Sequence, residues 1–283
     1  MLRALRTLSS SRRLNTNAMA AEKVIFYDLV STHEGPHPAA IPPNTWKGRL
    51  ALLHKGVDFE LKYLTFTELR AMAPKLGVER PVIPFIEFPD GKVISDSWNI
   101  AEWAEKEYPD KPSLWLPDAP APVKEDDPTL KLAKNYAQTF AEGFAAWVPT
   151  FELSAVGIDA LMPGTPETNP DKEYFRSDYK QRSKGAWQRL TSLDRDVVRE
   201  RAKTALSPLE KVLAKSPFLC GDNSGFVDYV VYSRYAMMRS ACPDECKSLW
   251  HGETTPNLSK WIERIETKFE AGLEEAFKRL PPM

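Results

Sequence analysis

The spacing of apolar residues divides the chain into two parts with different predicted secondary structure. Between residues 23 and 108, short β-branched and aromatic runs predict strands, and apolar residues three and four apart predict helices. The predicted strands are 23–30, 59–64, 83–88 and 92–94, and the predicted helices are 45–54, 67–73 and 97–108. The order is therefore β-α-β-α-β-β-α.

The connections predict the topology of this first part. A helix joins the first two strands, which makes them parallel, whereas the turn Pro89-Asp90-Gly91 makes the last two an antiparallel hairpin. A mixed four-stranded sheet with helices on both sides follows. Thr67 is the predicted N-cap of the second helix and Ser97 that of the third.

A proline-rich linker separates this part from a helical one. Six prolines between residues 109 and 128 follow one another too closely for a regular element. After the linker the apolar spacing is helical, and no strand signal follows Ile94, so the second domain is predicted to be an all-α helical bundle. The predicted domains are 22–108 and 129–283, joined by the linker 109–128.

Several helix boundaries are predicted in the second domain. The capping box Ser207-Pro208-Leu209-Glu210 predicts a helix start, and Pro149 is expected to end or bend the helix before it. Gly225 as N-cap and Asp228 three residues later open a helix over 226–238. A helix over 258–277 closes the chain.

The first 21 residues differ in composition from the rest. They contain serines and several arginines, no acid, and leucines at helical spacing in Leu2, Leu5 and Leu8. This composition is typical of a mitochondrial transit peptide, which favours a mitochondrial location. The alternatives are a disordered basic tail, or an extension ahead of a start at Met19, which would favour the cytoplasm.

Composition excludes several classes of function. With 42% apolar and 27% charged residues and a net charge of −1, the chain offers no sign of a nucleic-acid partner. No apolar run is long enough to cross a bilayer. The three cysteines, Cys220, Cys242 and Cys246, argue against a disulfide framework. Only His251 lies near the last two, so no metal site is predicted.

The segment ERPVIPFIEFPDGKVISDSW at 79–98 carries the candidate chemistry. A cis bond before Pro84 at a strand start would leave the backbone N–H and C=O of Ile83 free to pair with an extended peptide. Asp96 and Ser97 follow the hairpin, and a helix N-terminus there can bind an anion. Taken singly, Ser97 can be a plain N-cap and Pro84 an edge-strand proline.

These motifs in this order resemble the glutathione transferases. The resemblance covers about residues 23–280: a thioredoxin-like N-terminal domain, Val82-Ile83-Pro84, Asp96-Ser97, a helical C-terminal domain, and FLCGDNSGFVDY at 218–229. The segments YDL, PPNTWKGRLALLHKGVDFE and VISDSWNIAEWAEKEYPD look most like the fungal etherase-like class, related to bacterial β-etherases.

The resemblance implies a site for glutathione as co-substrate. In the segment Val82-Ile83-Pro84, Ile83 would pair with the cysteinyl backbone and Pro84 would set its geometry. Asp96 and Ser97 would hold the γ-glutamyl end. Asn44 and Thr45, at the start of the first helix, would face the thiol, whose pKa is lowered there, and the thiolate would attack an electrophilic carbon.

One position departs from the family pattern. Relatives commonly carry Ser or Cys where this chain has Pro42, which has neither a side-chain donor nor an N–H. Asn44, Thr45 or backbone N–H groups would then hold the thiolate, or the activity is weak. No cysteine is near in sequence, so a mechanism through an enzyme thiol is disfavoured.

The second substrate is expected to be small, hydrophobic and aromatic. The stripe Tyr136, Phe140, Phe144 and Trp147 would face the loop 31–43 across the domain cleft, although such a stripe is more often core. His33 and His37, in that loop, are acid–base candidates or solvated bystanders.

Three functions compete at this point. The first is a glutathione transferase acting on aromatic electrophiles, including aryl ethers. The second is a non-catalytic binder of glutathione and aromatic ligands, and the third is a transferase-like interaction module. The family expectation is a homodimer.

Overall fold

The computed structural model describes residues 23–34, 42–77 and 81–281, so the predicted transit segment and His37 lie outside the described residues. Up to Tyr108 the described residues form four strands and four helices. These are β1 Val24–Leu29, α1 Pro43–His54, β2 Phe59–Leu64, α2 Phe66–Ala71, α3 Ala73–Leu76, β3 Phe85–Glu87, β4 Val93–Ser95 and α4 Ser97–Glu107. The single helix predicted over 67–73 is thus two short helices.

The four strands form one mixed sheet in the order β2-β1-β3-β4. β1 and β2 are parallel, with Val24 opposite Phe59 and Leu29 opposite Leu64. β3 is antiparallel to both β1 and β4. The predicted thioredoxin-like topology is confirmed.

The N-cap of α2 is Thr65, so the prediction of Thr67 is wrong. The Thr65 hydroxyl accepts from the Glu68 N–H at 3.3 Å, and the Glu68 carboxylate accepts from the Thr65 N–H at 2.7 Å. This reciprocal pair needs a Glu three residues after the cap, which Thr65 has and Thr67 lacks. The Thr67 hydroxyl instead donates to Asp171 at 2.5 Å.

The second part is helical, as predicted. Its helices are α5 Pro128–Trp147, α6 Thr150–Leu161, α7 Pro170–Arg176, α8 Asp178–Gln181, α9 Ala186–Thr191, α10 Arg195–Leu213, α11 Phe226–Ala241, α12 Pro243–Trp250, α13 Pro256–Lys268 and α14 Glu270–Phe277. Among the described residues after Ser95 there is no strand, and Phe218 and Gly221 form an isolated bridge.

Two predicted boundaries in this part are wrong. α10 starts at the Asp194 cap and runs through Pro208, so Ser207 does not begin a helix. Its face Val198, Ala202, Leu206, Leu209 and Leu213 is buried without a break, and this packing offsets the cost of an internal proline, about 3 kcal/mol. The predicted helix 258–277 is two helices, α13 and α14, which meet at Phe269.

Pro149 ends α5, as expected, and α6 leaves it at 69°. In the part of the chain that the structure describes, no single helix is long and apolar enough to cross a membrane. α5 and α6 taken together reach that length and composition.

Helix α11 lies at the centre of the molecule and packs against α1, α5, α6 and α12. Its start is fixed by the buried Asp228, whose carboxylate accepts from the Gly225 N–H at 3.0 Å and the Trp261 indole at 2.7 Å. This confirms the helix start predicted from Gly225 and Asp228. Because α11 contacts α1, Trp46 and Leu50 of α1 belong to the same hydrophobic core as the buried residues of the helical part.

Candidate active site

The peptide bond between Ile83 and Pro84 is cis, as predicted. β3 begins after it, at Phe85, and the Pro84 carbonyl accepts from the Asp96 N–H at 3.0 Å. No described residue forms a backbone hydrogen bond with Ile83. The backbone of Ile83 is therefore placed to pair with an extended ligand.

The carboxylate of Asp96, not the Ser97 hydroxyl, caps α4. It accepts from the Trp98 N–H at 2.8 Å, and Ser97 is the first helical residue. This corrects the prediction of Ser97 as N-cap. Asp96 has a φ of 78°, which costs a non-glycine residue on the order of 1 kcal/mol, and such strain concentrates at ligand sites. The Asp96-Ser97 pair thus opens α4 beside the Ile83–Pro84 bond.

Helix α1 begins with backbone N–H groups that no described residue pairs. Pro42 is its N-cap with no side-chain hydrogen bond, Pro43 is the first helical residue, and the first turn has no acid. The N–H groups of Asn44 and Thr45 therefore lie at the positive end of the helix dipole without an intrahelical partner. This end of α1 favours a bound anion.

Of the two candidate catalytic residues, only Asn44 has its side chain at the site. Thr45 is fully buried, and its hydroxyl donates to the Pro42 carbonyl at 2.8 Å. The Thr45 hydroxyl is therefore turned into the helix, and only its N–H remains available there. Asn44 lines a cavity together with Pro42 and Pro43.

That cavity, called here the interdomain cavity, measures about 390 Å³. Ile83 and Val82 form one side of it, and the start of α1 forms another. Apolar residues of later elements complete the wall: Phe66 and Leu69 from α2, Phe151 and Ile158 from α6, Tyr174 and Phe175 from α7, and Met237 from α11. A thiol at the start of α1 would therefore face a largely apolar chamber of ligand size.

The body of α1 is held to the sheet by a buried ion pair. Arg49 donates to Asp28 of β1, and both side chains are 1% exposed. The Arg49 guanidinium also lies over the Trp46 ring, 5.0 Å from its centroid. Because this pair fixes α1 against β1, it also fixes the start of α1 relative to Ile83.

The last turn of α1 is closed by polar contacts. The His54 ring bonds the Tyr229 hydroxyl at 2.6 Å and the Pro112 carbonyl at 3.0 Å. Lys55 donates to the carbonyls of Lys111 and Pro112 and pairs with Glu105 at 3.1 Å. Burial, reinforced by the charge of Lys268, lowers the pKa of His54 to about 3.

Two protein-family profiles match the chain. The one described as glutathione S-transferase, N-terminal domain, matches residues 43–107, and the one described as glutathione S-transferase, C-terminal domain, matches residues 191–268. Together they cover about half of the 283 residues. The chain belongs to the glutathione S-transferase superfamily. Membership implies glutathione transferase activity, with glutathione as the co-substrate of the family.

Solved transferases share the fold. A glutathione S-transferase of Ceriporiopsis subvermispora, in complex with glutathione, is similar with a TM-score of 0.64 and 20% identity, over 87% of this chain and 97% of that one. A glutathione transferase from Phanerochaete chrysosporium has a TM-score of 0.60 and 20% identity, over 93% and 100%. The Tau class transferase of mango, Mangifera indica, has a TM-score of 0.57 and 18% identity, over 92% and 96%.

In this transferase fold, the aromatic stripe of α5 does not line the interdomain cavity. Tyr136, Phe140 and Trp147 line a second cavity of about 270 Å³ beside Trp115, called here the α5 cavity, and Phe144 is buried. Tyr136, Phe140 and Phe144 therefore do not lie at the cavity beside the start of α1, and their role as substrate contacts stays a prediction. The chain bends by 69° after α5, and it is α6 that turns to the cavity.

The sequence did not predict that residues of α6, α7 and α11 line the interdomain cavity. Phe151 and Ile158 stand seven apart on α6, so helical spacing marks them as one face, but many buried faces have this spacing. Nothing in the local pattern distinguishes a face that lines a cavity from one that packs against a helix.

The cysteines and the described histidine of the loop lie outside the interdomain cavity. Burial raises the pKa of Cys242 to about 11 and that of Cys220 and Cys246 well above the ordinary value, and none of the three lines the cavity. His33 bonds the exposed Glu68 at 2.7 Å. Among the described residues no cluster of His, Cys, Asp or Glu could hold a metal.

Proposed function

We propose that this transferase joins glutathione to a hydrophobic, aromatic electrophile, in the manner of the etherase-like class. The observation that carries the proposal is the meeting of three features at one cavity. These are the free backbone of Ile83, the unpaired N–H groups at the start of α1, and an apolar wall. A thiol-bearing peptide and an apolar partner fit this combination.

Each end of glutathione has a place in this arrangement. Ile83 pairs with the cysteinyl backbone, and the N-terminus of α4 at Asp96 and Ser97 holds the γ-glutamyl end. The thiolate is stabilised by the N–H groups of Asn44 and Thr45 and by the Asn44 side chain, because the positive end of α1 favours the anion and lowers the thiol pKa.

The reaction is a displacement at carbon. The thiolate sulfur forms a bond to the electrophilic carbon, and the bond from that carbon to the leaving group breaks. With an aryl ether the leaving group is a phenolate, which takes its proton from solvent. The protein contributes thiol activation and positioning.

Calorimetric titration of the full chain with reduced glutathione tests the site. We expect Ser97→Ala to weaken binding about tenfold or more, the value of a hydrogen bond to a charged group. Ser207→Ala, on the exposed face of α10, is the matched control and should bind like the unmutated chain. Failure of the unmutated chain to bind would reject the transferase proposal and favour an interaction module.

A second candidate is a non-catalytic binder of glutathione and aromatic ligands. The observation that favours it is Pro42, which caps α1 without a side-chain hydrogen bond where relatives carry a donor. Consumption of thiol in the presence of an aromatic electrophile distinguishes the two. A binder holds both ligands and consumes none.

Cell location and assembly rest on the sequence and on the family, and we propose them as such. Residues 1–21 direct the chain to mitochondria, and the protein is a homodimer. A fluorescent fusion with and without residues 1–18 tests the first proposal, with cytoplasmic signal from both contradicting it. Light scattering on the purified chain tests the second.

A further inference from the structure

The charged residues that line the interdomain cavity are all cationic. Lys180, Arg182 and Arg234 lie on its wall, and no Asp or Glu is among its described lining residues. The α5 cavity has no charged residue among its described lining residues. The two cavities are both lined largely by apolar side chains, so the cations distinguish the interdomain cavity.

Of these three cations, Arg234 has the least usual surroundings for a charged side chain. It lies in the middle of α11, between Ser233 and Tyr235, both of which are buried, and is itself only partly exposed. Among the described residues none forms a hydrogen bond or an ion pair with it. A partly buried charge with no partner in the described part of the chain is costly unless a ligand pairs with it.

The surroundings of Arg234 do not neutralise it. Glu152 of α6 is the one described carboxylate whose charge acts on it, and this influence is weaker than that of burial, which lowers the pKa of Arg234 to about 10. Lys47 of α1 adds a positive charge close by. Arg234 therefore stays charged at neutral pH and keeps its donors for an anion.

The other lining residues of the interdomain cavity indicate the chemistry of the rest of the ligand. Phe66, Ile158, Tyr174 and Met237 present apolar surface to the same space as Arg234. A neutral apolar molecule would leave the guanidinium unpaired, and a small anion would leave the apolar wall empty. The lining thus fits an apolar body with one anionic group.

We propose that the second substrate is an aromatic electrophile with a carboxylate or sulfonate group, and that Arg234 binds this group. The inference rests on the proposed transferase function of the same cavity. An arginine can hold either anion with two parallel N–H donors, which orients the aromatic body. The electrophilic carbon then faces the thiolate at the start of α1.

A carboxylate on Arg234 could come from the electrophile or from the glycyl end of glutathione. The test uses 4-(chloromethyl)benzoate and its methyl ester, which share the reacting carbon and differ in the charge. The thiolate sulfur bonds the benzylic carbon and chloride leaves with the bonding electrons. Binding of glutathione alone is titrated in parallel for every variant.

We expect Arg234→Met to lower kcat/KM for the benzoate about 10- to 100-fold, as expected for lost hydrogen bonds to a charged group. The methyl ester and the Kd of glutathione should change less than about threefold. Arg234→Lys should recover part of the loss. Arg201→Met removes the same charge from the exposed face of α10 and should change nothing.

Equal losses of kcat/KM for the benzoate and the ester would overturn the proposal. They would show that Arg234 supports the folded structure and does not bind the anionic group. A matching loss in glutathione affinity would also overturn it and assign the carboxylate to glutathione.

If the unmutated chain turns over neither compound, the proposed transferase function is rejected. Equilibrium binding then tests whether Arg234 binds an anion. The probes are 8-anilinonaphthalene-1-sulfonate and the uncharged N-phenyl-1-naphthylamine. Weaker binding of the sulfonate alone in Arg234→Met supports the site, and equal weakening of both probes, or no change in either, rejects it.

Discussion

The two ends of α1 are built in opposite ways. At its last turn, Lys55 is 1% exposed and bonds two carbonyls and Glu105, while His54 links Tyr229 to Pro112. At its first turn, Pro42 supplies no cap and the Asn44 side chain has no hydrogen bond to any described residue. One end is closed by protein groups, and the other is open to the interdomain cavity.

This difference separates stability from function along one helix. Polar groups at the closed end are satisfied by the protein, so a substitution there should lower the free energy of unfolding. Donors at the open end have no partner among the described residues, and in the proposed function they bind the thiolate, so a substitution there should change binding or turnover. The ion pair of Arg49 and Asp28 lies between the two ends and holds the helix in place for both.

The largest effect is expected at Lys55. Lys55→Met removes the ammonium from Glu105, which is 18% exposed, and from the carbonyls of Lys111 and Pro112. Breaking one partner from a buried pair lowers the free energy of unfolding by about 3–5 kcal/mol. Urea denaturation followed by circular dichroism measures the change.

Lys47 on the same helix is the matched control for Lys55. It is partly exposed, and burial lowers its pKa to about 8, so its charge is disfavoured in the folded state. Lys47→Met should therefore leave the free energy of unfolding unchanged or raise it. Similar losses for both variants would contradict the distinction between the two ends.

The next effect is a dependence on pH at His54. Its folded-state pKa of about 3 lies below the ordinary value of about 6.5, so between these values only the unfolded chain binds the proton. Stability from this group is full above about pH 6.5 and falls, by up to about 1.4 kcal/mol per pH unit, as the pH decreases toward 3.

Urea denaturation at pH 7.5, 6.5 and 5.5 checks this slope. The informative quantity is the difference in this slope between the unmutated chain and His54→Gln. At low pH the free energy of unfolding should decrease less in this variant than in the unmutated chain. Parallel curves for the two proteins would show that His54 takes up a proton in the folded state.

The smallest effect on stability is expected at the open end. Asn44→Ala should change the free energy of unfolding by less than about 0.5 kcal/mol, because none of the described residues forms a hydrogen bond with its side chain. It should nevertheless lower kcat/KM about tenfold, by removing a donor to the thiolate. Unchanged turnover would leave the thiolate to the backbone N–H groups alone.

Local patterns predicted the elements whose cause is local. Residues close together in sequence predict strand β2 and the order of the first eight elements. The one exception is the short predicted helix that is divided into α2 and α3. The Asp228 cap of α11 was also predicted, since a capping carboxylate acts on its immediate neighbours. The cis bond at Pro84 was expected from the resemblance to the transferases.

The errors at helix boundaries have two different causes. Pro208 should break a helix, but the buried face of α10 continues past it, so packing outweighed one local preference. Ser97 resembles a cap, but the backbone of the neighbouring Asp96 turns so that its carboxylate takes that position. In this second case one local signal replaced another.

The sequence by itself determined the thioredoxin-like order of elements, and it marked the Ile83–Pro84 bond and the start of α1 as the candidate site. Only the tertiary structure decided which apolar faces line the cavity, placing the aromatic residues of α5 at the α5 cavity and Arg234 of α11 at the interdomain cavity. The physical reason is that periodicity reports which face of a helix is apolar, whereas the packing of helices far apart in sequence decides what that face meets.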